Sequence, residues 1–423
     1  MRWRLGWPGR GTLRLGSRGD DVRRVQERLR ELGYDPGPAD GVYGWLTLGA
    51  VRDFQRAVGL EQDGVVGRRV RGVLFDEALS GAGRWTLAAE LSPGGAGTLA
   101  LRALARQAPI AAAVAVPVPV GADDLGDAGE RASAAAERVR AAGAAASILI
   151  TLHNRWNDVA GEHPRGALQL LLHSRRGLEA LERAVRQAAE AAEGVHLDLG
   201  PLRWGDGARF LSFLRRTAGA LAEAHKSLTV ALPLREARGW TRLASDLDYG
   251  AVARFASWVV LTPPARMPRT VPPRPPTAAE LAAALRWTVR SVPPWRCLLA
   301  VPVGALALPV SAETPPSAMP HYHARALAYK ARQRPQWHEA AGRLGFPHRA
   351  EGQDAWIWLE TEAGLAAKLA LVRRFRLGGL YLVGCGQEDP RLWRALRREH
   401  VSPGGGIWIN GKRSRRDAEE GSR

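Results

Sequence analysis

Two rhythms of apolar and polar positions divide the chain. Up to about residue 78, apolar residues recur at helical spacing. Val22, Val25, Leu29 and Leu32 line one face of a helix predicted over 20–32, with Asp20 as its N-cap and Gly33 as its stop. A second helix is predicted over 47–58, burying Ala50, Val51 and Phe54 and ending at Gly59. A short repeat organises the segment. Asp40-Gly41-Val42-Tyr43-Gly44 recurs as Asp63-Gly64-Val65-Val66-Gly67. Each copy is a turn signal, because Asp bonds back to its own backbone and Gly supplies a positive φ. The pattern describes a small all-α unit with two matched loops.

From about residue 84 the rhythm changes. Apolar runs at 86–91, 110–120, 146–153, 195–199, 228–234, 258–262, 297–303 and 379–383 alternate with helical stretches such as 178–192, 207–225, 278–291 and 362–374. Unbroken runs of Val, Leu, Ile and Ala are the mark of parallel strands covered on both faces. Eight of them predict an α/β fold, a (β/α)8 TIM barrel, with an insertion at 310–360 before the last helix and strand. The insertion is rich in aromatic residues: Tyr322, Tyr329, Trp337, Phe346, Trp356 and Trp358. Residues 401–423 are charged and Gly-rich and read as a flexible basic tail. The expected organisation is a helical domain over 1–78, a barrel over 84–400 and the tail.

Composition adds constraints. The hydrophobic fraction, 46%, is ample for a large core, and the net charge is +18. Such a charge suits polyanions such as nucleic acid, an anionic polymer like teichoic acid or an anionic membrane; the competing reading is a compositional bias toward Arg. The Arg residues are scattered rather than gathered in one stripe, which argues against nucleic acid as a partner. Cys297 and Cys385 lie far apart with no ligand-like His spacing, so neither a disulfide, a metal site nor another cofactor is expected. The basic start is not followed by an apolar run of signal-peptide length. The apolar stretches at 110–120 and 144–152 are too short to cross a bilayer, so no membrane span is expected. The sequence thus displays neither a secretion signal nor a membrane anchor.

The segments LRLGSRGDDVRRVQERLRELGY, DGVYGWLT, AVRDFQRAVGL and DGVVG resemble the type 1 peptidoglycan-binding module, a three-helix fold. The resemblance implies peptidoglycan or spore cortex glycan as the partner, and a location in the cell wall or spore envelope. It also implies a glycan-facing groove formed by the two loops and the intervening helix, with Asp40, Gly41, Tyr43, Asp63 and Gly64 as candidate contacts. Arg69 stands where that family usually has Thr. For the Asp and Gly residues, turn formation alone is the competing role.

The fourth apolar run, Glu193-Gly194-Val195-His196-Leu197-Asp198-Leu199-Gly200, carries the chemistry. Side chains alternate along a strand, so outward Val195, Leu197 and Leu199 aim His196, Asp198 and position 200 into the barrel. The segments SLTVALP, ARFASWVVLT, VPPWRCLLAVPVGA and WIWLETEAGLAAKLALVRRFRLGGLYLVGCGQEDPRLW, in this order, resemble glycoside hydrolase family 18, in its spore-cortex and cell-wall branch. That family's signature on the fourth strand is Asp-Gly-x-Asp-x-Asp-x-Glu. Its Glu protonates the leaving group, and the preceding Asp orients the substrate acetamido group, which is the internal nucleophile. Mapped residue by residue, Glu193 and His196 replace the first two Asp residues. Gly194 and Asp198 are retained, and Gly200 stands in place of the acid. Glycine has no proton to donate, and a positioned general acid is worth ~10²–10⁴-fold.

Two further parts of the family's site differ. Leu261-Thr262-Pro263-Pro264 replaces Met-Thr-Tyr-Asp after the sixth strand, and Val383 replaces the floor Trp of the eighth. The expectation is a retained barrel with impaired hydrolysis. The alternatives are an N-acetylglucosaminidase using a relocated acid, with Glu236, Glu388 and Asp389 as candidates, and a structural envelope protein with the barrel as an interaction platform. Trp356 and Trp358 share one strand face and are candidates for stacking on sugar, against core packing as the plainer role.

Overall fold

The computed structural model describes residues 11–32, 34–57, 60–75, 86–92, 111–120, 125–143, 147–154, 167–200, 202, 204–234, 246–264, 270–311, 314–339, 341–350 and 352–398. The basic tail at 401–423 and Glu236 lie outside them.

The N-terminal unit has three helices, α1 (Asp20–Glu31), α2 (Trp45–Ala57) and α3 (Arg68–Leu74). Their apolar faces close on one core containing Val22, Val25, Leu29, Tyr43, Val51, Phe54, Val66 and Leu74. The expected N-cap is displaced by one residue. Gly19 takes the cap position at φ 119, and Asp20 and Asp21 form the first turn instead. There they still complement the positive end of the helix. Gly19 is required at the cap because its backbone folds back on the first turn motif, its N–H donating to the Gly41 carbonyl at 2.9 Å.

Eight parallel strands close the barrel: β1 (Thr86–Leu91), β2 (Ala113–Pro119), β3 (Ser147–His153), β4 (Gly194–Asp198), β5 (Ser227–Pro233), β6 (Trp258–Thr262), β7 (Cys297–Pro302) and β13 (Gly379–Cys385). Neighbours are hydrogen-bonded in chain order, and β13 closes the ring between β7 and β1. Around them run α4 (Ala128–Ala141), α5 (Ala167–His173), α6 (Arg175–Ala191), α7 (Gly207–Glu223), α8 (Tyr249–Phe255), α9 (Ala278–Thr288), α11 (Glu362–Phe375) and α12 (Arg391–Arg398). Alternation along each strand sorts two cores. Leu87, Val114, Ile150, Val195, Leu197, Val230, Leu299 and Leu382 pack outward with the helices. Ala88, Ala113, Ala115, Leu149, Trp258, Val260, Leu298, Ala300 and Tyr381 fill the interior. Local signals set the helix ends. Thr277 and Glu280 form a full capping box on α9, with Arg274 adding a bidentate ion pair to Glu280.

The insertion begins slightly earlier than its aromatic composition suggests. It is a five-stranded antiparallel sheet, ordered β10-β11-β12-β8-β9, of β8 (Ala305–Pro309), β9 (Ser317–Met319), β10 (Gln336–His338), β11 (Arg343–Ala350) and β12 (Gln353–Leu359). One face is covered by α10 (His321–Lys330) through Ala324 and Ala328. Glu360, fully buried where β12 ends, pairs with Arg343 at 2.7 Å and with Lys368 of α11 at 2.9 Å, fastening this lobe to the barrel. Burial opposes the Glu360 charge, yet the two cations hold its carboxyl below the usual range.

The helical unit packs on the end of the barrel where strands begin. Trp295, just before β7, joins the core of the helical unit, and α2 touches α8. Beside Trp295, the buried Arg296 guanidinium donates to the carbonyls of Ala253, Ala256 and Ser257.

Candidate functional site

In the helical unit one glutamine clamps each turn motif. On α1, Gln26 accepts from Gly41 N at 2.9 Å and donates to Asp40 Oδ1 at 3.2 Å and to the Val42 carbonyl at 3.0 Å. On α2, Gln55 accepts from Gly64 N at 2.8 Å and donates to Asp63 Oδ1 at 2.6 Å and to the Val65 carbonyl at 3.1 Å. Each Asp also accepts from the backbone two residues ahead, Val42 N and Val65 N. The Val42 N–H and then Gln26 hold the Asp40 carboxyl below its usual range. Gly41 and Gly64 sit at φ 77 and 71, where a side chain would be strained. Tyr43 is buried, its hydroxyl donating to the Gly64 carbonyl at 2.8 Å, and so ties one loop to the other instead of facing solvent. The aromatic ring that does face solvent here is Trp45, 75% exposed at the start of α2, beside Leu46 at 61%.

At the barrel, the interior row of β4 is Gly194, His196 and Asp198. His196 is buried and its ring lies 4.9 Å from that of Tyr381. Asp198 is half-buried at the end of the strand. Glu193 is separated from this group. It precedes β4 at the opposite end of the strand, accepting from Ile148 N at 2.7 Å and lying 3.9 Å from Arg140. With ~3.3 Å per strand residue, its backbone is ~16 Å from that of Asp198. Gly200 follows the strand and is held by Asn154 of the segment after β3. Gly200 N donates to Asn154 Oδ1 at 3.0 Å, and Asn154 Nδ2 donates to the Gly200 carbonyl at 2.7 Å. A Cβ at Gly200 would meet nothing nearer than Leu202 N at 4.0 Å. The position has room for a side chain, so packing does not impose the glycine.

Glu90 of β1 is an interior carboxylate that pattern reading passes over, because it ends an apolar run. It is 4% exposed and accepts from the Tyr381 hydroxyl at 2.8 Å and from Thr151 at 3.1 Å. Burial first, and then the Glu90 charge, push the Tyr381 phenol well above its ordinary value, keeping it a neutral donor. Among the described residues, Glu90 and Asp198 are the acidic side chains carried on the eight barrel strands. Glu388 and Asp389, beyond β13, serve their own loop. Glu388 accepts from Gly386 N and from Trp393 Nε1, while Asp389 caps α12 and pairs with Arg391 at 2.6 Å. Thr262 donates its hydroxyl to the Leu232 carbonyl, and Val383 lies against the interior cluster.

In the inserted lobe, Trp358 is 1% exposed and donates from Nε1 to the Pro273 carbonyl at 2.8 Å. Trp356 is half-buried and stacks on it with ring centroids 5.6 Å apart. Trp358 therefore presents no face to a sugar. Both cysteines are buried thiols whose titration is pushed up by burial, so neither is poised as a nucleophile. Among the described residues no His, Cys, Asp or Glu cluster could hold a metal, and no helix is long and apolar enough to cross a membrane.

Comparison with known proteins separates the two parts. The family described as "Putative peptidoglycan binding domain" matches residues 18–74. A spore cortex-lytic enzyme of Bacillus subtilis is 48% identical over 65 residues, 15% of this chain and 21% of that protein. One from Bacillus cereus is 35% identical over 80 residues, 18% of this chain and 31% of that protein. The chain thus spans under a third of the length of these relatives. The barrel aligns with the crystal structure of the Bacillus cereus spore cortex-lytic enzyme SleL at TM-score 0.60 and 17% identity, covering 75% of this chain and 74% of that one. It also aligns with a class V chitinase from Pseudomonas fluorescens at TM-score 0.60 and 17% identity, covering 74% and 99%. Residues 18–74 thus match a peptidoglycan-binding family, and the barrel shares the fold of these solved structures. In the module, the clamped turns match the family's segment and Trp45 is the exposed ring beside them. In the barrel, the likeness is one of fold.

Proposed function

We propose that the protein holds cell-wall or spore-cortex glycan through its N-terminal module and presents a barrel that does not hydrolyse it. The observation that carries this reading is Gly200. On the resemblance to family 18 the residue takes the position of the proton donor; its backbone is held by Asn154, and among the described residues a Cβ there would meet nothing nearer than 4.0 Å. The module brings two rigid clamped loops and the exposed Trp45 ring, whose face can pack on a pyranose. Relatives of the module named as spore cortex-lytic enzymes support the cortex or wall as the location.

The test is a sacculus assay that reads binding and soluble products together. The intact protein is expected to co-sediment with purified sacculi and release no soluble fragments. Trp45→Ala is expected to raise the dissociation constant about fivefold, the loss of ~1 kcal/mol of contact. Fragment release that disappears in Asp198→Asn would overturn the reading.

One observation favours a second reading, residual glycoside hydrolysis by a relocated acid. Glu90 is an interior carboxylate whose donor Tyr381 also feels the charge of Asp198. Release abolished by Glu90→Gln, with binding retained, would select it.

A further inference from the structure

The inserted lobe carries an aromatic face that neither the module nor the interior of the barrel uses. On α10, Ala324 and Ala328 are buried against the sheet, while Tyr322 and Tyr329 stand 74% and 85% exposed. Seven residues are almost two full turns, so the rings lie on one face ~10.5 Å apart along the helix axis. That is about the length of one disaccharide in a β-1,4-linked amino-sugar strand. Arg325, exposed, sits one turn along from Tyr322 and between the two tyrosines.

Two further features fix the kind of occupant. Between Tyr322 and Tyr329 the charged residue is Arg325, and Lys330 follows Tyr329 directly, so the charge beside the rings is positive. The row also begins at the barrel mouth. His321 N donates to the Gln387 carbonyl at 2.7 Å, and Gln387 belongs to the segment that leaves the C-terminal end of β13. A strand crossing the mouth would meet Tyr322 first and Tyr329 one repeat later.

We infer that the Tyr322–Arg325–Tyr329 face of α10 is a second glycan site, taking a β-1,4-linked amino-sugar strand that bears carboxylates. This rests on the reading of the protein as a wall-glycan binder. The tyrosine faces pack on alternate sugar rings, and Arg325 pairs with a carboxylate of the strand or its peptide stem. The helix supplies the spacing, and the covered alanines hold it rigid on the sheet. The site selects a length as well as a chemistry, because both rings are engaged only by a strand long enough to reach from one to the other.

The test uses the full chain and soluble peptidoglycan fragments of one, two and three disaccharide repeats, with binding measured by calorimetry. Wild-type affinity is expected to rise from one repeat to two. Tyr322→Ala combined with Tyr329→Ala is expected to remove that rise, a loss of about tenfold on the two-repeat fragment, and to leave one-repeat binding unchanged. Tyr322→Phe combined with Tyr329→Phe keeps the ring faces and is expected to keep the rise. Arg325→Ala is expected to weaken carboxylate-bearing fragments and leave neutral N-acetylglucosamine oligomers unaffected. Both substitutions are on exposed side chains, and circular dichroism checks that the fold is intact. An alanine pair that binds every length as wild type does overturns the second site while the module reading stands. Wild-type protein that binds none of the fragments, nor sacculi, overturns both.

Discussion

The proposed loss of hydrolysis rests on a single position, Gly200. Its amide and carbonyl are both engaged by Asn154, and the space at its missing Cβ is open. Gly200→Glu should therefore fold as well as the parent, with stability changed by no more than ~0.5 kcal/mol in a urea titration. A large loss would show that the glycine is needed for packing and would remove the argument that the position is free to carry a proton donor. The two glutamines act by the opposite logic, since their polar atoms are all in use. Gln55→Ala strips Gly64 N and Asp63 of their partner inside a small core. It should cost ~2 kcal/mol, read as an earlier thermal transition of the module.

At the scale of elements, one acid-sensitive cap lies at the start of α9. Arg274 first, aided by the Thr277 donors and opposed by partial burial, holds Glu280 at about 2, against an ordinary value of 4.5. The folded carboxyl is the stronger acid. Its contribution is thus complete above about 4.5 and lost as pH falls toward 2. The urea midpoint of wild type should exceed that of Glu280→Gln at neutral pH, with the gap shrinking across that window and closing below it. A gap independent of pH would mean that shape, and not charge, holds the cap. The strands and the inserted sheet show how far pattern alone reaches at this scale. The run at 86–91 and the run at 258–262 appear as β1 and β6 without a shift. Period and apolar content suffice for buried parallel strands. The insertion is less legible, because its short strands mix exposed and buried positions. Trp356 and Trp358 share a face, yet Trp358 is buried, packed with Leu306, Leu308 and Ala341 and bonded to the Pro273 carbonyl, while Trp356 is only half-buried.

Across the whole molecule, the module and the barrel mouth lie at opposite ends of the barrel. The module packs where β7 begins, through Trp295, while α10 and Gly200 sit where strands finish. On the proposed function, glycan held by the module and glycan at the mouth would be distinct engagements at opposite ends of the barrel. The Trp295 contact should also couple the two folds. Trp295→Ala is expected to remove ~2 kcal/mol from the module alone, so that calorimetry shows its melting separate from that of the barrel. A single unchanged transition would show that the interface carries no stability.

The sequence by itself determined the local and periodic features. Helix faces, paired Asp-Gly turns and eight apolar runs follow from side-chain period and backbone preference, and each is complete within a short window. That Gly200 follows Asp198 by two positions at the end of its strand was legible too, because it needs only the register of one strand. Tertiary structure alone decided which side chains share an environment. It brought Glu90 to Tyr381 across 291 positions, carried Glu193 away from Asp198, and buried Tyr43 and Trp358. It also left Trp45, Tyr322 and Tyr329 in solvent. Exposure and long-range pairing depend on every element packed around a residue, and no window of the chain contains that information.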